Sequence, residues 1–134
     1  MTFMPWSPQL ALGVVKMDQE HQELIRVMNS LYDANEAKRP KAELMEIFLQ
    51  LGKVTTDHFA DEEAYMEAIG FAEIGIHKMI HQQLLAKFQD HLNRAKVQPG
   101  PLAPEVFDFL KMWLNAHIMG IDTKYARVGQ RKAS

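Results

Sequence analysis

The sequence predicts an all-α protein, an antiparallel up-down four-helix bundle with an irregular N-terminal segment. Along four stretches, apolar residues recur at spacings of three and four, which is the period of one helix face. Segments rich in proline or glycine separate these stretches, and no segment alternates polar and apolar residues long enough to indicate a strand. Four helices of this length with short connections are typical of an antiparallel bundle.

The predicted elements form a single domain over residues 1–134. An N-terminal arm covers residues 1–17, and a polar tail that should fray covers 129–134. The four helices between them are predicted over 18–37, 42–69, 72–96 and 104–128. The first helix ends before Pro40, and the second ends at Gly70, a residue type common at helix C-termini. The fourth begins at Pro104, which suits a first helical turn.

Composition excludes several classes of protein. Lys and Arg total 15 against 17 for Asp and Glu, so the net charge of −2 provides no field for binding nucleic acid. The absence of cysteine excludes disulfides, iron–sulfur clusters, thiolate zinc sites and cysteine nucleophiles. The sequence has no basic secretory n-region and no run of roughly 20 apolar residues. We therefore expect a cytoplasmic monomer without membrane insertion, whose partner protein the sequence does not name.

Five histidines and one glutamate continue the apolar stripes of the predicted helices: His21, His58, Glu62, His77, His81 and His117. A buried ionised carboxylate costs several kcal/mol unless it is paired or bound to a metal. A lone inward histidine is usually a hydrogen-bonded core residue. Five of them on four converging helices would need five separate partners, so the pattern favours a metal site.

The spacing of these residues suits chelation. HFADE places His58 and Glu62 one turn apart on one face, and HKMIH does the same for two histidines. HIMGID separates His117 from Asp122 by five residues, about 140° around a helix. That offset suits a carboxylate reaching a second metal ion or a locally widened helical turn.

Other acidic residues lie near the candidate ligands. Asp18 precedes the first histidine by one turn, and it either orients that imidazole or caps the helix. Asp61 and Glu63 flank the inward glutamate on other faces, so we expect both to be solvated.

The donor set indicates which metals the site would take. Imidazole and carboxylate ligands without thiolates suit iron, zinc, copper or manganese. Seven candidate ligands are too many for one ion, so we infer a centre of two ions. If each ion has about six ligand positions, five histidines, two bridging carboxylates and a bridging oxide or hydroxide fill all but one of them, and one position stays open for a small molecule.

Four segments, DQEH, HFADE, HKMIH and WLNAHIMGID, occur in an order that resembles the hemerythrins, specifically the single-domain bacteriohemerythrins. The resemblance extends from Trp6 to Tyr125, and all seven ligand positions of the family pattern are present. It implies a non-haem centre of two iron ions (Fe²⁺/Fe³⁺) with a bridging oxide or hydroxide, which binds dioxygen reversibly.

The resemblance also implies a role for each site residue. The metal ligands would be His77, His81 and His117 on one iron, His21 and His58 on the other, and Glu62 and Asp122 as bridges. The open position then belongs to the iron with two histidines. The residues implied to form an apolar dioxygen pocket beside it are Leu24, Phe59, Leu114 and Ile118.

The expected function is oxygen carriage, storage or local supply, without enzymatic activity. One alternative is a sensor in which dioxygen, nitric oxide or redox state changes a contact with a partner. Another is a di-iron oxidoreductase of the peroxidase or nitric oxide reductase type. The predicted bundle has no output domain attached, which disfavours the sensor, and it lacks the Glu-x-x-His pairs of oxygen-activating di-iron proteins, which disfavours the enzyme.

Overall fold

The computed structural model describes residues 3–4, 6 and 14–117, which contain four α-helices and no strand. The helices are α1 (Val15–Glu36), α2 (Lys41–Ala68), α3 (Ile74–Val97) and α4 (Pro104–Ala116). Helix α1 packs against α2, and α2 packs against α3. Helix α4 closes the bundle, since Phe107 contacts Tyr32 of α1 and Phe109 stacks on His91 of α3. The predicted all-α four-helix bundle is confirmed.

The first helix begins earlier than its sequence pattern indicates. It starts at Val15, after Val14, whose side chain makes no capping hydrogen bond. Asp18 therefore lies within the first turn, and its interpretation as a helix cap is wrong. The predicted continuation of the fourth helix to residue 128 and the tail over 129–134 lie outside the described residues, as does most of the arm over 1–17.

The end of α2 has a specific backbone geometry that turns the chain towards α3. Gly70 adopts a positive φ of 65°, which only glycine accepts without strain. The N–H of Gly70 donates to the carbonyl of Glu67, and the N–H of Phe71 donates to the carbonyl of Met66. This pair of bonds is a Schellman motif, and the side chains at its two apolar positions, Met66 and Phe71, are both buried.

The buried interior has an apolar part and a polar part. Large apolar side chains fill most of it, among them Leu31, Leu44, Phe48, Leu51 and Leu110. Burial of each such side chain contributes about 1.5–3 kcal/mol to folding. Polar side chains are buried where the start of α1, the second half of α2, the first half of α3 and the end of α4 meet. Within the described residues, no helix is long and apolar enough to cross a membrane.

Candidate metal centre

Six of the seven predicted ligands come together in this polar part of the interior. Each has at most 2% of its surface exposed; they are His21, His58, Glu62, His77, His81 and His117. Their positions follow from helix geometry, because residues four apart on one helix project from the same face. The seventh predicted ligand, Asp122, lies outside the described residues.

Glu62 lies at the centre of the group, and its two oxygens face different histidines. Oε2 is 3.6 Å from Nε2 of His21 and 3.3 Å from Nε2 of His58. Oε1 is 3.1 Å from Nε2 of His81 and 3.6 Å from Nε2 of His117. The carboxylate thus has one oxygen for each of two separate sets of imidazoles.

These contacts define two clusters that could each hold a metal ion. We call the cluster of His21, His58 and Glu62 the two-histidine half, and the cluster of Glu62, His77, His81 and His117 the three-histidine half. Within each half, one potential ligand atom of every residue lies within 4.8 Å of the others. Glu62 belongs to both halves, as a bridging ligand requires.

The spacing within the three-histidine half suits a single ion. Nε2 of His81 and Nε2 of His117 are 3.1 Å apart. Two nitrogens bound to one ion at about 2.1 Å, at right angles, would be roughly 3.0 Å apart. The ring of His77 completes the set, with its centroid 4.7 Å from that of His81 and 5.1 Å from that of His117. The residues present therefore fit a metal ion in this half.

The surroundings of Glu62 favour its negatively charged form. Burial raises the pKa of this carboxyl, whereas the charge of His58 and hydrogen bonds with His117, His21 and His58 lower it. The net result is a pKa well below the usual value. The ionised carboxylate is the form that bridges cations, so the protonation state also suits a pair of metal ions.

Comparison with known proteins identifies the family to which the chain belongs. Residues 12–128 match the family model of the hemerythrin HHE cation binding domain. The chain belongs to the hemerythrin family. It is 28% identical over 124 residues to a bacteriohemerythrin of Clostridium acetobutylicum, with 90% of this chain and 96% of the relative covered. It is 32% identical over 120 residues to a myohemerythrin of Riftia pachyptila, with 90% and 88% covered.

A crystal structure of wild-type hemerythrin has the same fold. Its TM-score is 0.85 at 24% sequence identity, and the match covers 93% of this chain and 96% of the other. The family prediction made from four short segments is therefore confirmed, and so is the fold that it implied. The buried histidine and glutamate cluster of this hemerythrin is compatible with a metal site.

One of the predicted pocket residues contacts a candidate ligand, and two others are buried. Phe59 is stacked on the ring of His81, with centroids 3.8 Å apart and planes 3° from parallel. Leu24 and Leu114, also predicted to line the dioxygen pocket, are each 1% exposed. The fourth predicted pocket residue, Ile118, lies outside the described residues.

Two glutamates contact the ligand histidines from the outer side. Oε1 of Glu20 is 2.7 Å from Nδ1 of His58, and Oε2 of Glu63 is 3.5 Å from Nδ1 of His81. The expectation that Glu63 is simply solvated is wrong, because its side chain is only 28% exposed. Asp61 matches that expectation better, since its side chain is 41% exposed and lies 3.7 Å from Lys16.

The sequence pattern does not predict a role for Glu20, which directly precedes His21. Spacing along one helix indicates partners on that helix, whereas Glu20 reaches across from α1 to His58 on α2. The one signal in the sequence is that Glu20 is adjacent to a candidate ligand, and this does not show which neighbouring helix its side chain faces.

Proposed function

We propose that this hemerythrin binds dioxygen reversibly at a non-haem di-iron centre, for oxygen carriage, storage or local supply. The proposed ligands are His21, His58, Glu62, His77, His81, His117 and Asp122. The iron pair, when bound, would supply the two electrons that dioxygen takes up reversibly. The cytoplasmic location expected from the sequence stays a prediction.

The observation that carries this proposal is the position of Glu62 between the two halves. One of its oxygens lies 3.3 Å from His58 and the other 3.1 Å from His81. A carboxylate with this arrangement can hold two ions at once, and two-metal sites are typically about 3.5–4 Å across. Membership of the hemerythrin family, with relatives named bacteriohemerythrin and myohemerythrin, supports the same function.

The apolar side chains support binding over oxidation. Leu24, Phe59 and Leu114 are at most 2% exposed, and Phe59 is stacked on His81. An apolar cavity with few polar partners stays dry. Around the proposed dioxygen position, these residues would keep out water and protons and so favour reversible binding.

The test is an absorption spectrum of the iron-loaded, reduced protein, recorded without oxygen, after admission of air and after removal of the oxygen. Reversible binding predicts a new visible band that disappears under argon and returns over repeated cycles. A permanent conversion to the ferric spectrum with release of peroxide would contradict the proposal and indicate an oxidoreductase. Zinc-loaded protein, which has no accessible redox state, is the matched control and should show no band.

A further inference from the structure

Glu20 and Glu63, which we call the outer glutamates, contact histidines in different halves of the centre. Glu20 contacts His58, which belongs to the two-histidine half, and Glu63 contacts His81, which belongs to the three-histidine half. In both histidines the contacted atom is Nδ1, and Nε2 faces Glu62. His58 is therefore hydrogen-bonded to an outer carboxylate and faces the central one, whereas His81 has its outer carboxylate within ion-pair distance but without a hydrogen bond.

The hydrogen bond to Glu20 favours a proton on Nδ1 of His58, and the weaker contact from Glu63 acts in the same direction on His81. A neutral imidazole has one N–H, and a carboxylate beside Nδ1 keeps the N–H there. Nε2 then keeps its lone pair directed at the metal position. The negative charge also makes the imidazole a more basic ligand, and loss of such an outer partner typically weakens metal binding by 10- to 100-fold.

The two outer contacts differ in strength. The contact from Glu20 is a short hydrogen bond of 2.7 Å, with the glutamate side chain 21% exposed. Glu63 is more distant, at 3.5 Å, and its side chain is 28% exposed. Because water screens a longer and more exposed contact more effectively, Glu20 should have the larger effect on its histidine.

We propose that Glu20 and Glu63 are separate positioning residues, each of which sets the metal affinity of one half of the centre. Glu20 acts on the two-histidine half through His58, and Glu63 acts on the three-histidine half through His81. The inference rests on the proposed two-ion centre and is independent of dioxygen binding.

The test is a titration of the metal-free protein with zinc ions against a competing chelator, which requires no oxygen chemistry. Wild-type protein should bind two ions per chain. Glu20→Gln should weaken one of the two binding steps by about 10- to 100-fold and leave the other within about twofold. Glu63→Gln should weaken the other step by a smaller factor, and the double variant should weaken both.

The chain offers a matched control for each variant. Glu23→Gln changes an α1 residue that pairs with Arg26, and Glu67→Gln changes an α2 residue that pairs with Lys78; both lie on exposed surface. Neither control should change either binding step. Unchanged affinities in Glu20→Gln and Glu63→Gln, or loss at the same step in both, would overturn the division of roles. A single ion bound by wild-type protein would instead contradict the two-ion centre itself.

A second readout separates positioning from general stability. In cobalt-loaded protein, the ring N–H of His58 should exchange slowly with deuterium oxide, because the Glu20 carboxylate accepts its hydrogen bond. Glu20→Gln keeps an oxygen acceptor, so the ring N–H of His58 should still exchange slowly although the affinity for metal is lower. Glu20→Ala removes the acceptor, so the ring N–H of His58 should exchange measurably faster than in the wild-type protein. Equal exchange in all three proteins would show that Glu20 does not position His58.

Discussion

Two apolar residues contact histidines of the candidate metal centre. Leu114 is buried at 1% exposure, and its carbonyl accepts a hydrogen bond from the N–H of His117. Phe59 covers the face of His81 from another helix. If the centre binds dioxygen as proposed, apolar residues in these positions should slow autoxidation by keeping water away from it.

Leu114→Ser should speed autoxidation of the oxygenated protein by about tenfold, equivalent to about 1.4 kcal/mol off the barrier. The substitution removes apolar volume and adds a hydroxyl that can hold a water near the centre. Iron content and the oxygenated spectrum should stay normal. The measurement is the rate of decay of the visible band under air. Met112→Ser, on the exposed side of the same helix at 62% exposure, is the control and should leave the rate unchanged. An unchanged autoxidation rate in the fully iron-loaded Leu114→Ser variant would contradict the prediction that Leu114 lines the dioxygen pocket.

Apolar periodicity predicts the middle of each helix better than it predicts the residues at which the helix begins and ends. The end of α2 was predictable because Gly70 is the residue that its backbone requires. The start of α1 was not, since Val14 carries no capping hydroxyl or carboxylate and Asp18 looked like a cap. The contacts from Glu20 and Glu63 were unpredictable for a related reason. They depend on how far one helix is rotated against its neighbour, which a single helix pattern does not contain.

Gly70→Ala should lower the free energy of unfolding by about 1 kcal/mol, because an alanine Cβ is strained at a φ of 65°. Urea denaturation of the metal-free protein measures this change. Gly75→Ala is an informative control. Gly75 lies in α3, and a Cβ there meets no atom within 4 Å, so helix propensity should raise stability by about 0.5–1 kcal/mol. A destabilising effect of the same size at both positions would contradict the role of the α2 terminus.

For the whole molecule, the centre connects the four helices at one end of the bundle. Its described ligands come from α1, α2 and α3 and from His117 directly after α4. The sequence predicted this convergence because the histidines interrupt apolar stripes that must face one interior. The bridging position of Glu62 required the assembled bundle, since only there do its two oxygens meet different histidines.

The metal-free protein should therefore melt at a temperature at least about 5 °C below that of the iron-loaded protein. A ligand that binds only the folded state at 100 times its dissociation constant contributes about 2.7 kcal/mol, and 1 kcal/mol shifts the melting temperature by about 2–8 °C. Calorimetry of both forms measures the difference. Equal melting temperatures would mean that the apolar core alone holds the bundle together.

The number of iron ions per chain is the most direct test of the centre that Glu62 is proposed to bridge. Elemental analysis of the purified, iron-loaded protein should give two ions per chain. Glu62→Ala should lose at least one of them, while Glu67→Ala, an exposed change further along the same helix, should keep both. One ion per chain in fully loaded wild-type protein, or two ions retained in Glu62→Ala, would contradict a two-ion centre bridged by Glu62.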